Sequence, residues 1–355
     1  MKKKVASLVL AAALSFGALA LAGCGGSASG SSTAAGSSTA AASASSTQQT
    51  SAQAAKKIRI GYFSTMTSSP QLYVADKKGY LKEELGDVEI ELIPFANGPA
   101  ANEAFLAGKI DIQNGEGDLP ILNGWRNGLK TEVLAINGKL GANFGLMISK
   151  KSGITKVEEL KGKKVGVYIG TSFHKSVLGI LKDHGLTSKD VELVNIDSTS
   201  SGVAALSSGE LDAYYVPSVF HAQQAEKENI ATLVEDSKKF PSYGYWVVQS
   251  EFINSNPEII NKLLKALDKA NRFVNENLDE AADLVAKFVE VDKETALISL
   301  KNGEWYMVPD EDAINNLYTS EEFLHSIGVA EVALSKEELD KHINLKPIKE
   351  VTGAN

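Results

Sequence analysis

Residues 164–186 read KVGVYIGTSFHKSVLGILKDHGL, and a change of period inside this stretch sets the fold class. Val165, Gly166, Val167 and Tyr168 form a short apolar run of buried-strand type, which turns through Gly170, Thr171 and Ser172. From Phe173 onward the apolar residues Phe173, Val177, Ile180 and Leu181 take helical spacing. Gly185 closes the helix just after Lys182 in its last turn. A strand that passes through a glycine-hydroxyl turn into a helix leaves free backbone N–H groups at the helix start. With Thr171 and Ser172 beside them, these donors suit an anionic or carbonyl-bearing group. The same hydroxyls also suit plain helix capping.

Outward from that stretch, the chain begins with a segment that does not belong to a globular fold. Lys2, Lys3 and Lys4 precede an apolar run, and Leu21-Ala22-Gly23-Cys24 follows with small residues before a cysteine. This is the pattern of a secretory signal peptide over residues 1–23. It resembles the lipobox of bacterial lipoproteins, and that resemblance implies cleavage before Cys24 and lipidation of its thiol. Cys24 is the only cysteine of the 355 residues, which excludes an internal disulfide framework. Residues 25–55 contain only Gly, Ser, Ala, Thr and Gln, too little apolar surface to order themselves. As a flexible coil they would span about 30 Å, so residues 24–55 read as a lipidated tether.

About 300 residues remain, which favours two lobes over one small core. The whole chain has 36 basic and 44 acidic residues, a net charge of −8. Without the leader's three lysines the balance is 33 against 44, or −11. An acidic surface argues against nucleic acid and against adsorption on anionic lipid. No run beyond the leader approaches the roughly 20 apolar residues a membrane span needs.

Strand and helix signals alternate through the first half. Residues 57–63, 88–92 and 110–112 read as strands, and helices are expected at 71–78, from Gly98-Pro99, and after Asp118, which is placed to cap. Residues 114–118, Asn-Gly-Glu-Gly-Asp, read as a loop. The grammar recurs about a hundred residues later. Lys57-Ile58-Arg59-Ile60-Gly61-Tyr62 is echoed by Lys164-Val165-Gly166-Val167-Tyr168, and Phe105 to Asp111 by Leu206 to Asp212. Such an echo implies two α/β lobes of similar build, with mostly parallel sheets. The apolar strands 144–148 and 243–249 read as the two crossings between them, and the chain after the second is almost wholly helical.

Residues 75–81 (ADKKGYL), 98–111 (GPAANEAFLAGKID), 160–167 (LKGKKVGV) and 170–172 (GTS) occur in that order. Together they resemble the nitrate/sulfonate/taurine-type substrate-binding proteins of ABC importers, over roughly residues 57–330. The resemblance implies an α/β, type II periplasmic-binding-protein-like fold: two α/β lobes joined by a two-strand hinge, with a helical C-terminal segment. It divides the chain into lobe I, residues 56–147 plus 243–355, and lobe II, residues 148–242. It also implies a small-molecule ligand between the lobes, the transmembrane subunits of an ABC permease as partner, and no cofactor. The protein is then expected as a monomer, lipid-anchored on the extracytoplasmic face of the cell membrane.

The family's contact loops fall on Tyr62, Phe63, Ser64 and Thr65; on Glu116, Gly117 and Asp118; on Gly170, Thr171, Ser172, Phe173 and His174; and on Tyr214 and Tyr215. Several positions depart from the family. Leu119 stands where a hydroxyl is usual, Tyr214 replaces a tryptophan, and Glu116 brings a carboxylate to the turn. The three arginines, Arg59, Arg126 and Arg272, lie in none of these loops, so a bidentate clamp on a sulfonate is missing. A ligand with an aromatic or heterocyclic body, with Glu116 pairing an N–H, fits at least as well.

Blander roles compete at each position. Asp118 suits a helix cap, Glu116 solvent, and Trp305 and Tyr306 packing. Strand alternation sends Tyr214 and Tyr215 to opposite faces, so only one can reach a cleft. The five histidines have no clustered ligand spacing that would mark a metal site. A tethered enzyme would need a nucleophile elbow, an HExxH helix or a Walker loop, and the sequence has none of the three. A surface adhesin would also tolerate the tether. The leading expectation is a non-catalytic receptor for a sulfonate-like or pyrimidine-precursor-like solute.

Overall fold

The computed structural model describes residues 55–64, 69–142 and 144–354. Cys24, the leader, the tether and Thr65 lie outside the described residues. Ten strands make two five-stranded sheets. The first sheet takes β1 (Lys57–Phe63), β2 (Glu89–Phe95), β3 (Ile112–Glu116) and β4 (Thr131–Lys139). The second takes β5 (Gly145–Ser149), β6 (Lys164–Val167), β7 (Glu192–Asn195), β8 (Ala213–Val216) and β9 (Ala231–Asp236). The last strand, β10 (Tyr243–Gln249), returns to the first sheet.

The strand orders are β2-β1-β3-β10-β4 and β7-β6-β8-β5-β9. In each sheet three strands run parallel, and a fourth, antiparallel strand separates them from the outer one. That antiparallel strand is the exchanged one: β5 follows β4 out of the first sheet, and β10 follows β9 back. The two strands read as crossings therefore each lie inside a sheet. The chain passes between the lobes in residues 140–144 and 240–242, and Gly145 to Met147 already belong to the second sheet.

The echoed motifs do the same job in both lobes. Asp111 Oδ2 accepts the Arg59 backbone N–H at 2.8 Å, and Asp212 Oδ2 accepts that of Lys164 at 2.9 Å. Each aspartate thereby ties the segment entering one strand to the start of its parallel neighbour. The strand expected at residues 110–112 runs later, over Ile112–Glu116. It runs on through Asn114 and Gly115 because Glu116 pairs with Tyr245 of β10, a partner invisible to local pattern.

Alternation along β10 feeds two cores. Trp246 and Val248 face the helices Pro257–Glu276 and Leu278–Val289, while Tyr245 and Val247 face the helix Glu311–Ser326. The 20-residue helix Pro257–Glu276 buries Ile259, Ile260, Leu263, Leu264 and Leu267 on one face. Each such side chain contributes about 1.5–3 kcal/mol on leaving water. Trp305, expected as packing, is buried and donates its indole N–H to the Leu300 carbonyl at 2.8 Å. A separate core around Leu146, Val165, Val177 and Tyr215 serves the second lobe. Among the described residues no helix is long and apolar enough to cross a membrane.

Candidate functional site

Helices follow the carboxyl ends of the parallel strands in both lobes, and their first turns face one another across a cleft. Ligands of α/β sheets bind in this position. Here the cleft holds a cavity of about 150 Å³, the size class in which a dry protein cavity accepts benzene. Phe63, Gly98, Glu116 and Gly117 contribute from the first lobe; Tyr168, Thr171, Ser172 and Phe173 from the second; Leu140, Gly141, Phe144 and Tyr243 from the two crossings and their edges.

Phe63 reaches the cavity from the end of β1. Its neighbour Tyr62 points to the other face of the strand, edge-on to Tyr73 and Phe288 with ring centroids 6.2 and 5.3 Å away. Tyr62 is thus a packing residue and not part of the cavity wall. Ser64 follows the strand without joining that wall.

Glu116 is the last residue of β3 and is only 1 % exposed. Neither carboxyl oxygen has a hydrogen-bond partner among the described residues. Burial pushes its carboxyl up to about 8, as expected for an acid that has lost water without gaining a donor. It lies close against the start of the helix Gly98–Leu106: a methyl at Gly98 would come within 2.2 Å of Oε1.

Asp118 neither caps nor reaches the cavity. It is the first residue of the helix Asp118–Arg126, whose cap position is Gly117. Its carboxylate is buried at the interface between lobes and pairs with the Lys175 ammonium. It also accepts from the Ser172 hydroxyl, from Ser320 at 2.6 Å and from Asn316 at 3.0 Å. Burial by itself would raise this carboxyl, but Lys175 and the hydroxyl donors outweigh it and hold it below its ordinary value.

The glycine-hydroxyl turn does not cap either. Thr171 occupies the cap position of the helix Ser172–Asp183, yet its hydroxyl donates back to the Tyr168 carbonyl at 2.7 Å. Ser172 spends its hydroxyl on Asp118 across the interface. Both residues still line the cavity, and no side chain caps the helix start. Gly170, at φ +81°, abuts Pro99 of the opposite lobe. His174 sits behind the cavity wall with Nδ1 3.4 Å from the Gly170 nitrogen, and burial lowers its pKa.

Tyr214 and Tyr215 do alternate, but both are core. The ring of Tyr214 lies under Gly202 of the helix Thr199–Ser208. The ring of Tyr215 stacks on Phe173 at 5.7 Å. Helices cover both faces of a parallel sheet, so neither face of β8 opens on the cleft.

Several cavity residues escaped the sequence reading: Asn97, Tyr168, Thr199, Ser218, His221 and Asn302. Five of them stand in the loop or first helical turn after a strand, the place the carboxyl-end rule points to. Ser218 caps the helix Val219–Lys227 and meets His221 Nδ1 at 2.9 Å. Asn302, in the C-terminal helical segment, carried no sequence signal. The three arginines are all engaged elsewhere, Arg59 with Asp111, Arg126 with Glu321 and Arg272 with Asp268. Among the described residues no group of His, Cys, Asp and Glu is arranged to hold a metal ion.

Residues 66–281 match the NMT1/THI5 like family. The chain belongs to that family. A Bacillus subtilis (strain 168) protein provisionally named as aliphatic sulfonates-binding is 27 % identical over 301 residues, 84 % of this chain and 86 % of its own. The alkanesulfonate-binding protein SsuA from Xanthomonas axonopodis pv. citri, solved with MOPS, superposes with a TM-score of 0.70. That match is 17 % identical and covers 82 % of this chain and 99 % of SsuA. The desulfurization enzyme DSZB has the same fold at a TM-score of 0.62 and 19 % identity, over 83 % of this chain and 99 % of its own. The architecture is thus periplasmic-binding-protein-like, and it serves a solute binder and an enzyme alike. By sequence the chain is similar to aliphatic sulfonates- and taurine-binding proteins.

Proposed function

We propose that the cavity between the lobes captures a small organic solute unchanged and that the closed protein presents it to the permease of an ABC importer. The observation that carries this reading is the cavity itself, walled by both lobes and by the two crossings that would bend on closure. Ligand affinity that differs between open and closed forms shifts the hinge equilibrium. Phe63, Phe144, Tyr168, Phe173 and Tyr243 give the cavity aromatic walls, which supports a solute with an aromatic or heterocyclic body. With every arginine paired elsewhere, a simple alkanesulfonate lacks its usual partner.

The leader and Cys24 support lipid anchoring on the extracytoplasmic face, with residues 25–55 as the tether. One experiment tests both parts. Cys24→Ser should move the protein from membranes to the soluble fraction. The released protein should then gain thermal stability from its solute without consuming it, by about 2.7 kcal/mol at a hundredfold excess over Kd. Stabilisation accompanied by turnover would turn the reading toward an enzyme. Continued membrane association would remove the anchor.

A further inference from the structure

Glu116 is the one acidic or basic side chain on the cavity wall among the described residues apart from His221, which burial keeps toward its neutral form. It is 99 % withdrawn from solvent, and its two oxygens meet no donor among those residues. A buried carboxylate with no partner is costly, and proteins that retain one neutralise it or supply a counter-ion. The fold has cations to offer but spends them elsewhere. Lys175 is committed to Asp118, two residues along the chain from Glu116, and it also donates to Ser320 at 2.8 Å. The arginines are likewise held by Asp111, Glu321 and Asp268. The site thus holds a carboxyl that is acceptor-only when ionised, an aromatic surround and space for one ring.

We infer that the solute bears a cationic amine- or amidine-type N–H group, carried on a body of about one ring, which docks on the Glu116 carboxylate. This rests on the reading of the cavity as the solute site. The bound cation supplies the donors that the protein withholds, and a carboxylate accepts such a group in two parallel N–H···O bonds. Glu116 is then the specificity-determining residue. Once the carboxyl is ionised, nitrate and plain alkanesulfonates are disfavoured by charge, since they would bring a second anion to a buried acid.

Binding should also carry a proton signature. Empty, the carboxyl holds its proton up to about pH 8. Bound to a cation, it is ionised, so complex formation below about pH 8 releases a proton. Tyr245 stands opposite it across the sheet, Tyr168, Tyr243 and His221 share its cavity wall, and Asp118, paired with Lys175, follows two residues on. Asp118 is held low and the tyrosines are held high, while His221 is held low. Glu116 is the carboxyl of this set that burial lifts to about 8.

The test uses the full chain with two probes that share a ring and differ in charge, benzamidine and benzenesulfonate, each at millimolar concentration. Benzamidine should raise the melting temperature, with a Kd that tightens up to about tenfold per pH unit toward pH 8 and then levels. Benzenesulfonate should bind more weakly than benzamidine near pH 8 and should not tighten as pH rises. Glu116→Gln should weaken benzamidine at least tenfold and flatten the slope. Should that variant misfold, the wild-type pH slope decides alone. Preference for benzenesulfonate near pH 8, a flat benzamidine slope, or full benzamidine affinity in Glu116→Gln overturns the inference, as does absence of any benzamidine shift. If sulfonates stabilise the protein and benzamidine does not, the cavity stands as a solute site and only the charge class fails. If no solute of any class stabilises it, both readings fall.

Discussion

Glu116 and Asp118 stand two residues apart, are equally buried and have opposite electrostatics. Asp118 has a lysine and three neutral side-chain donors, so its carboxyl is held down. Glu116 has none, so burial alone lifts it from 4.5 to about 8. The lifted group makes stability pH-dependent in a direction that can be worked out. Between 4.5 and about 8 the folded chain keeps a proton that the unfolded chain has released. Stability of the solute-free protein therefore falls as pH rises through that window and is lowest above it. Glutamine has no charge to lose. Glu116→Gln should match the wild type in melting temperature near the acidic end and exceed it by a margin that grows toward about pH 9. Parallel melting curves across the whole range would show that the carboxyl is not desolvated. At this scale the sequence displayed the unusual acid between two glycines but not its burial. Pairing with β10, 129 positions away at Tyr245, is what encloses it.

Among the elements, the crossings and helix starts decide whether the lobes can meet. Gly141, in the first crossing, passes so close to the helix Lys293–Asn302 that a methyl there would lie 1.4 Å from the Asn302 carbonyl oxygen. Backbone cannot yield as a side-chain tip does. Gly141→Ala should cost about 1–3 kcal/mol by overpacking, read as a lower melting temperature of the solute-free protein. An unchanged melting temperature would mean that the crossing stands off from that helix in solution. The helix 172–183 was plain in the sequence from its apolar period and closing glycine. Its cap was not. Thr171 and Ser172 have the chemistry of caps, yet their hydroxyls go to Tyr168 and to Asp118. A local rule ranks only local partners, and Asp118 arrives from another lobe.

Across the whole molecule, the pair of Asp118 and Lys175 is a buried electrostatic tie between lobes, supported by Ser172 on one side and by Asn316 and Ser320 on the other. Such a pair need not stabilise the fold relative to apolar residues, but removing one partner strands the other. Lys175→Met should cost about 3–5 kcal/mol and loosen closure, seen as an increased radius of gyration in solution scattering. Adding Asp118→Asn should recover much of the stability while the lobes stay loosely closed. If the single variant matches the wild type in both stability and radius, the pair does not hold the lobes together.

Periodicity, the Gly/Pro punctuation and the hundred-residue echo were enough to specify alternating strands and helices in two similar lobes, because those signals act between neighbours along the chain. The motif order was enough to place the family. The exchange of β5 and β10, the burial of both Tyr214 and Tyr215, the loss of Tyr62 from the cleft and the solitude of Glu116 lay beyond it. Each depends on which surfaces meet after separate elements come together, from Tyr215 on Phe173, 42 positions away, to Tyr62 against Phe288, 226 positions away, and such contact leaves no local period to read.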